Sequence, residues 1–394
     1  MQIRPLRPGI EIISSIHWER RLFDALIPLP EGTSYNAYLV KGSAGTALLD
    51  STDPVFAKDF LEVIKDVDTI DYIVSHHTEQ DHSGTLPDLL QRYPNAKLLC
   101  SKKAEELLLS HLPIAAERIR VVADGETVSL GDKTLQFLYT PWVHWPETMS
   151  TYVPEQKCLF SCDLFGSHLA TSDLFVTDPA LVLEGAKRYY AEIMMPFRPQ
   201  VGKNLAKLAE YPCNLICPSH GPVYNDPALI VDAYQKWISP RLKNEVVLPY
   251  ISMHGSTLLM VNRLTDALVR LGVTVHPFDL SVTDIGKLAT TLVDAATIIV
   301  GTPTVHVGPH PAVIYAATLA GMLRPKLKYA GVMASYGWSS KAIEQVAGAI
   351  ANLKPEIVGT VQCKGLPTAA TMAEIDALAA AVHKAHAADP NVLA

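Results

Sequence analysis

Cysteine is scarce in this chain: six residues in 394, with no C-x-x-C pair among them. That excludes a rubredoxin-type iron site or a zinc ribbon. Cys100, Cys158, Cys162, Cys213, Cys217 and Cys363 are far enough dispersed to suit reduced, mostly buried thiols. Cys158 and Cys162 fall in a strand-like segment and are expected in the core, not as a redox pair. Charge is also sparse, at 19% of residues, with a net of −7 and scattered Lys and Arg. No basic footprint for nucleic acid results. No uninterrupted apolar run approaches a membrane span. The start, Met1 to Pro8, has no apolar h-region, so no secretory signal is expected. Together these absences point to a cytoplasmic protein without nucleic-acid or membrane partners.

What is present is ample core, 48% hydrophobic, in a length that suits two or three domains. Residues 1 to about 245 mix short strand-like runs (Ala37–Val40, Ala47–Asp50, Tyr72–Val74, Lys97–Cys100, Arg118–Val122, Thr134–Tyr139, Cys158–Ser161) with helical stretches at Val55–Val67, Leu86–Tyr93 and Lys103–Leu109. That mix predicts two sheets with helices outside. A linker-like Ser239–Glu245 follows. From Val246 strands and helices alternate regularly, which predicts a five-stranded doubly wound parallel sheet over 246–394. An alanine-rich helix is expected at Thr371–Ala388.

The most chemically loaded stretch is His76-His77-Thr78-Glu79-Gln80-Asp81-His82, directly after the strand-like Tyr72–Val74. Two imidazoles and two carboxylates in H-x-E-x-D-H repel or stay solvated unless a cation joins them. A hydrophilic loop is the plainer alternative. His144, Asp163 and His220 each stand just past another strand-like run, where a rigid scaffold presents ligands. One such histidine is usually an ordinary satisfied side chain, but four segments share the arrangement.

This set resembles the metallo-β-lactamase-like domain of flavodiiron proteins. Hydrolytic relatives carry H-x-H-x-D-H, and Glu79 stands where they have the second histidine. The added carboxylate makes the site harder and favours iron over zinc. The resemblance implies one iron held by His77, Glu79 and His144, a second by Asp81, His82 and His220, and Asp163 bridging them. His76 matches no ligand position and is expected as a neighbouring surface or supporting residue; His168 is expected near the site at most. Gly32-Thr33-Ser34-Tyr35-Asn36, His144-Trp145-Pro146-Glu147-Thr148, Pro218-Ser219-His220-Gly221, Tyr189-Tyr190 and Met195-Pro196-Phe197 resemble further family segments; for the tyrosines ordinary packing is an equal alternative. Asp24, in Phe23-Asp24-Ala25-Leu26, replaces a pocket-edge histidine common in relatives, which changes the charge near the substrate.

In the second half, three loops follow strands one, three and four. Ser252-Met253-His254-Gly255-Ser256-Thr257 offers hydroxyls, backbone N–H groups and a helix N-terminus without Lys or Arg. It lacks both G-x-x-x-x-G-K-[ST] and G-x-G-x-x-G, against nucleoside triphosphate hydrolysis or dinucleotide binding. A single loop of this kind reads as a helix cap. Three at one sheet edge resemble flavodoxin, which implies FMN. The first loop would hold its phosphate. Pro303, Thr304, Val305, His306, Val307 and Gly308 would line the ring together with Ser335, Tyr336, Gly337, Trp338 and Ser339. Trp338, with His254 or Tyr336, is a candidate for stacking. Val305-His306-Val307 departs from the polar pair usual in relatives.

The resemblance thus implies an αβ/βα metallo-β-lactamase-like sandwich (1–245) fused to a flavodoxin-like domain (246–394). Its expected reaction is reduction of O2 to water and/or NO to N2O at a diiron centre fed by FMN. Rubredoxin, another small redox protein or a deazaflavin would be the external donor. A head-to-tail homodimer, or a dimer of such dimers, would bring the FMN of one subunit to the irons of the other. The alternatives are a zinc hydrolase fused to a flavodoxin-like binding domain, and a non-catalytic electron carrier.

Overall fold

The computed structural model describes residues 1–393. The chain divides into two compact units. One comprises Met1–Tyr189 and Phe197–Ile238; the other comprises Tyr190–Pro196 and the residues from Ser239 onward.

The first unit holds two large sheets and a two-stranded ribbon of Leu22–Phe23 with Ile27–Pro28. One runs in sequence order: β1 (Ile3–Arg7), β2 (Ile10–His17), β3 (Thr33–Lys41), β4 (Thr46–Leu49), β5 (Tyr72–Val74), β6 (Lys97–Cys100) and β7 (Ile119–Val121). It is antiparallel as far as β4 and parallel from β4 to β7. The other comprises β8 (Thr127–Ser129), β9 (Thr134–Tyr139), β10 (Met149–Val153), β11 (Cys158–Cys162) and β12 (Leu215–Pro218), antiparallel except for the last pair.

Side-chain alternation explains the layering. Tyr38, Val40, Leu49, Val74 and Leu99 point from the first sheet onto Phe137, Met149, Val153, Phe160 and Leu215 of the second. Their neighbours Leu39, Leu48, Ile73 and Leu98 point the other way, onto helical Phe60, Leu86, Leu89 and Leu108. Both faces of β3 are therefore covered, and Thr33 through Val40 are all buried. Burial on both faces also hides β2 and β10 from a period-2 reading, while β1 buries only Leu6; none of these three was expected.

The second unit is a parallel sheet of β13 (Leu242–Tyr250), β14 (Thr274–Asp279), β15 (Ala295–Val305), β16 (Tyr329–Tyr336) and β17 (Glu356–Lys364) in the spatial order β14-β13-β15-β16-β17. Helices Ser256–Arg270 and Ala369–Ala388 cover one face. Ile285–Leu292, Pro311–Leu323 and Ala342–Ala349 cover the other. The order reverses between β13 and β15, a switch point that opens a crevice beyond the strand ends. The stretch expected as linker through Glu245 is strand from Leu242. Its start pairs with Val392–Leu393, and Glu245 pairs with Thr274. Among the described residues no helix is long and apolar enough to cross a membrane.

Candidate metal centre and flavin cradle

Most of the candidate ligands sit in the segments that follow strand ends, where backbone pairing stops. His77 follows β5, Asp163 follows β11 and His220 follows β12; His144 lies in the loop between β9 and β10. Asp81 and His82 occupy a single helical turn, Gln80–Ser83.

These side chains form two clusters. In the first, Glu79 Oε2 lies 3.1 Å from His77 Nε2 and 3.0 Å from His144 Nε2, and Asp163 Oδ2 is 3.4 Å from both nitrogens. In the second, Asp163 Oδ1 lies 3.1 Å from His82 Nε2 and 3.2 Å from His220 Nε2. Asp81 completes it, 3.3 Å from His82 and 3.5 Å from His220. Asp163 thus turns one oxygen to each cluster, and both clusters have donor atoms close enough to share a metal ion.

The donors fit cations better than they fit one another. His77 Nδ1 meets the Glu147 carboxylate at 2.8 Å, and His220 Nδ1 meets the Ser34 carbonyl at 2.7 Å. Both partners only accept, so each Nδ1 carries a proton, and a ring without a second proton would turn a lone pair toward carboxylate oxygens. Lone pair against lone pair is repulsive without a cation. Burial works against a charged His77, but Glu147, Glu79 and Asp163 outweigh it and push its pKa up to about 10. A metal would replace that proton. Burial, with Glu79 and Asp163 nearby, pushes Asp81 up to about 6 against the pull of His82 and His220. The oxygens of Asp81 and Asp163 are buried without a hydrogen-bond partner, a cost that coordination removes.

Glu79 and Asp81 face a cavity of about 480 Å³ whose wall includes Arg20, Phe23, Asp24, Asp53, His111 and Trp145. Burial and the neighbouring Glu79 raise the pKa of Asp24.

Of the two places expected for His76, at the surface or in support of the site, it takes the second and is buried. Asp50 takes its Nδ1 at 2.7 Å and its backbone N–H at 2.8 Å, and Thr151 takes Nε2 at 2.6 Å. With both nitrogens occupied it acts as a buried brace. Glu147 had no expected role, yet it accepts from His77 and from the backbone N–H and hydroxyl of Thr78. Its only signal was its place in the His144–Thr148 motif. His168 is buried, with Nδ1 3.0 Å from the Thr33 hydroxyl and its ring edge-on to Tyr189.

In the second unit a cavity of about 300 Å³ gathers Met253, His254, Ser256, Thr257, Pro303, Thr304, Ser335, Tyr336 and Gly337. Gly365, just past β17, joins them without having been expected. Thr257 and Ser335 hydroxyls meet at 2.9 Å and tie the first loop to the third. Gly255 has φ +88°, a left-handed turn that delivers the chain into helix Ser256–Arg270. The helix's N-terminal amides and the hydroxyls of Ser256 and Thr257 can receive a phosphate. Ser252 caps Leu258 N–H, and Val305 to Gly308 form a hairpin tip whose Val307 carbonyl accepts from Lys341 N–H. Trp338 is 74% exposed and Ser339 is exposed; neither lines the cavity.

A family model described as "ODP family beta lactamase" matches residues 33–221. The nitric oxide reductase of Moorella thermoacetica is 36% identical over 85% of this chain and 86% of its own. The flavodiiron protein of Giardia intestinalis has a solved structure that matches with a TM-score of 0.90 and 27% identity over 98% of this chain and 96% of that one. The chain belongs to the flavodiiron protein family. Flavodiiron proteins carry FMN and a diiron centre. Rubredoxin oxygen:oxidoreductase from Desulfovibrio gigas matches with a TM-score of 0.94 and 30% identity over 98% of both chains. The enzyme class is oxidoreductase, and the hydrolase alternative is not favoured.

Proposed function

We propose that this flavodiiron protein reduces O2 to water and/or NO to N2O, with FMN in the C-terminal unit passing electrons to two irons in the N-terminal one. The observation that carries the reading is Asp163, whose two oxygens face separate clusters of donors. His77, Glu79 and His144 would hold one iron, Asp81, His82 and His220 the other, with Asp163 between. When bound, the irons supply a redox-active two-metal centre for small oxygen- or nitrogen-containing substrates, and FMN supplies the electrons.

The protein's own groups do the positioning. Glu147 and the Ser34 carbonyl fix the proton on Nδ1 of His77 and His220, leaving each Nε2 as a donor. Three carboxylates balance positive charge in a pocket whose walls exclude most water. Ser252 to Thr257, Pro303 to Gly308 and Ser335 to Gly337 are assigned to FMN. Ser256, Thr257 and the helix amides take its phosphate, and Pro303, Thr304 and Tyr336 lie along its ring.

Relatives named rubredoxin-oxygen oxidoreductase and coenzyme F420H(2) oxidase use different donors by name, and a rubredoxin-like redox protein is the donor proposed here. A cytoplasmic head-to-tail homodimer, alone or paired, is the proposed assembly; sedimentation of an active monomer would overturn it. The function is tested by reducing the iron- and FMN-loaded protein anaerobically, then mixing it rapidly with O2 and separately with NO. Reoxidation of FMN on a catalytic time scale by either substrate is expected. No reoxidation by either sinks the assignment. The ligand set is tested by Asp163→Ala, which should lose iron from both clusters and keep its flavin.

A further inference from the structure

The hairpin that carries one wall of the flavin cradle has a turn that its own residues disfavour. β15 ends at Val305, and Thr304 and Val305 pair antiparallel with Pro309 and Gly308. The two residues between, His306 and Val307, both have positive φ, +46° and +73°. A two-residue turn of that kind selects Asn-Gly, because a Cβ in the left-handed region crowds the backbone. Val307 is also branched at Cβ, which makes it the worse of the two. Contacts from outside the turn must therefore hold it.

Those contacts converge on one segment, Ser340 to Gln345. The Ser340 hydroxyl lies 2.7 Å from that of Thr304 and accepts from Ala342 N–H at 3.2 Å, at the start of helix Ala342–Ala349. Lys341 N–H donates to the Val307 carbonyl at 2.7 Å, inside the turn itself. Gln345 Oε1 packs against Gly308, 2.8 Å from where a Cβ would stand. The foot of the hairpin is fixed separately, where the Thr302 hydroxyl accepts from His310 N–H at 3.0 Å. Tip and foot thus have independent anchors, and Thr304, which lines the cavity, belongs to the anchor of the tip.

We infer that Ser340 is a positioning residue for FMN: through Thr304 it clamps the cavity wall and, with Lys341, holds a disfavoured turn beside the flavin ring. The inference rests on the flavin assignment proposed above. Ser340 does not itself line the cavity, so it acts through the hairpin. Because the turn is strained, the clamp matters only as long as the strain does. A residue at position 307 that accepts the left-handed region would keep the tip in place without it.

FMN release on dilution from the iron- and FMN-loaded full chain, followed by flavin fluorescence, tests the clamp. Ser340→Ala is expected to hold FMN about threefold to tenfold more weakly, as loss of one hydrogen bond would. Ser340→Thr keeps the hydroxyl and should stay within about twofold of wild type. In a Val307→Asn background the turn residue tolerates positive φ. There Ser340→Ala should weaken FMN by less than about twofold, since both changes act on one tip. The inference is overturned if Ser340→Ala releases FMN like wild type, if Ser340→Thr is as weak as Ser340→Ala, or if the full loss persists beside Val307→Asn. Wild type that takes up no FMN would overturn the cradle assignment itself, and the clamp with it.

Discussion

Glu147 and His77 meet at 2.8 Å with neither side chain exposed, and the same carboxylate oxygen also accepts from Thr78 N–H and its hydroxyl. One carboxylate thus orients the imidazole and braces the start of the ligand run. Glu147→Gln keeps the shape but brings an amide that can present N–H to Nδ1. Iron affinity on the His77 side is expected to fall roughly tenfold to a hundredfold, measured by chelator competition. Equal affinity in the variant would show that Glu147 only packs.

Little of that bracing could be read from the sequence, and the reason is distance along the chain. The ligand run was legible because its donors crowd into seven residues after an apolar strand. Glu147 lies 70 residues from His77, and His76 is satisfied by Asp50 and Thr151, 26 and 75 residues away. Nothing local distinguishes such partners from ordinary loop or strand residues. The C-terminal sheet was legible because apolar runs such as Val246–Leu248 and Ile298–Val300 alternate regularly with helices. Strand β10 was not, since Ser150 and Thr151 are polar yet fully buried.

Gly255 should set how firmly the flavin is held. Its φ of +88° is a left-handed conformation, and no atom would meet an added Cβ within 4 Å, so strain alone opposes a side chain. Gly255→Ala is expected to cost about 1–2 kcal/mol of backbone strain. Converted to affinity, that is roughly a five- to thirtyfold weaker hold on FMN. Flavin release on dilution, followed by fluorescence, measures it. Unchanged release would place the phosphate elsewhere.

His386 ties the C-terminal helix to the sheet. Its Nε2 lies 2.6 Å from the Thr297 hydroxyl and its Nδ1 2.8 Å from Asn244 Oδ1. Burial, with His383 nearby, lowers its pKa from 6.5 to about 4. Between these values the unfolded chain binds the proton and the folded one does not. This contribution is therefore fully present above pH 6.5 and lost progressively as pH falls toward about 4. His386→Gln, which does not titrate, should show a shallower loss of urea stability across that window, with flavin release as the signal. Parallel pH curves for the two proteins would remove His386 from the acid response.

Substitution of Asp24 is expected to affect the two candidate substrates unequally. It lines the cavity that Glu79 and Asp81 face, in a left-handed turn at φ +48°. Burial and the charge of Glu79 raise its pKa, so its carboxyl keeps a proton to higher pH than an ordinary aspartate. It can therefore deliver protons at the cavity wall. Reducing O2 to water takes four protons and coupling two NO takes two, so a missing donor should matter more for O2. Asp24→Asn preserves size and tolerates the left-handed backbone but cannot pass a proton. Its O2 turnover is expected to fall roughly a hundredfold, the lower end of what a positioned acid contributes, and NO turnover should fall less. The fall in O2 turnover as pH rises and Asp24 loses its proton should be absent from the variant as well. Steady-state rates with both substrates, across pH, decide the matter: an equal fall for O2 and NO, or none, would leave Asp24 without a part in proton delivery.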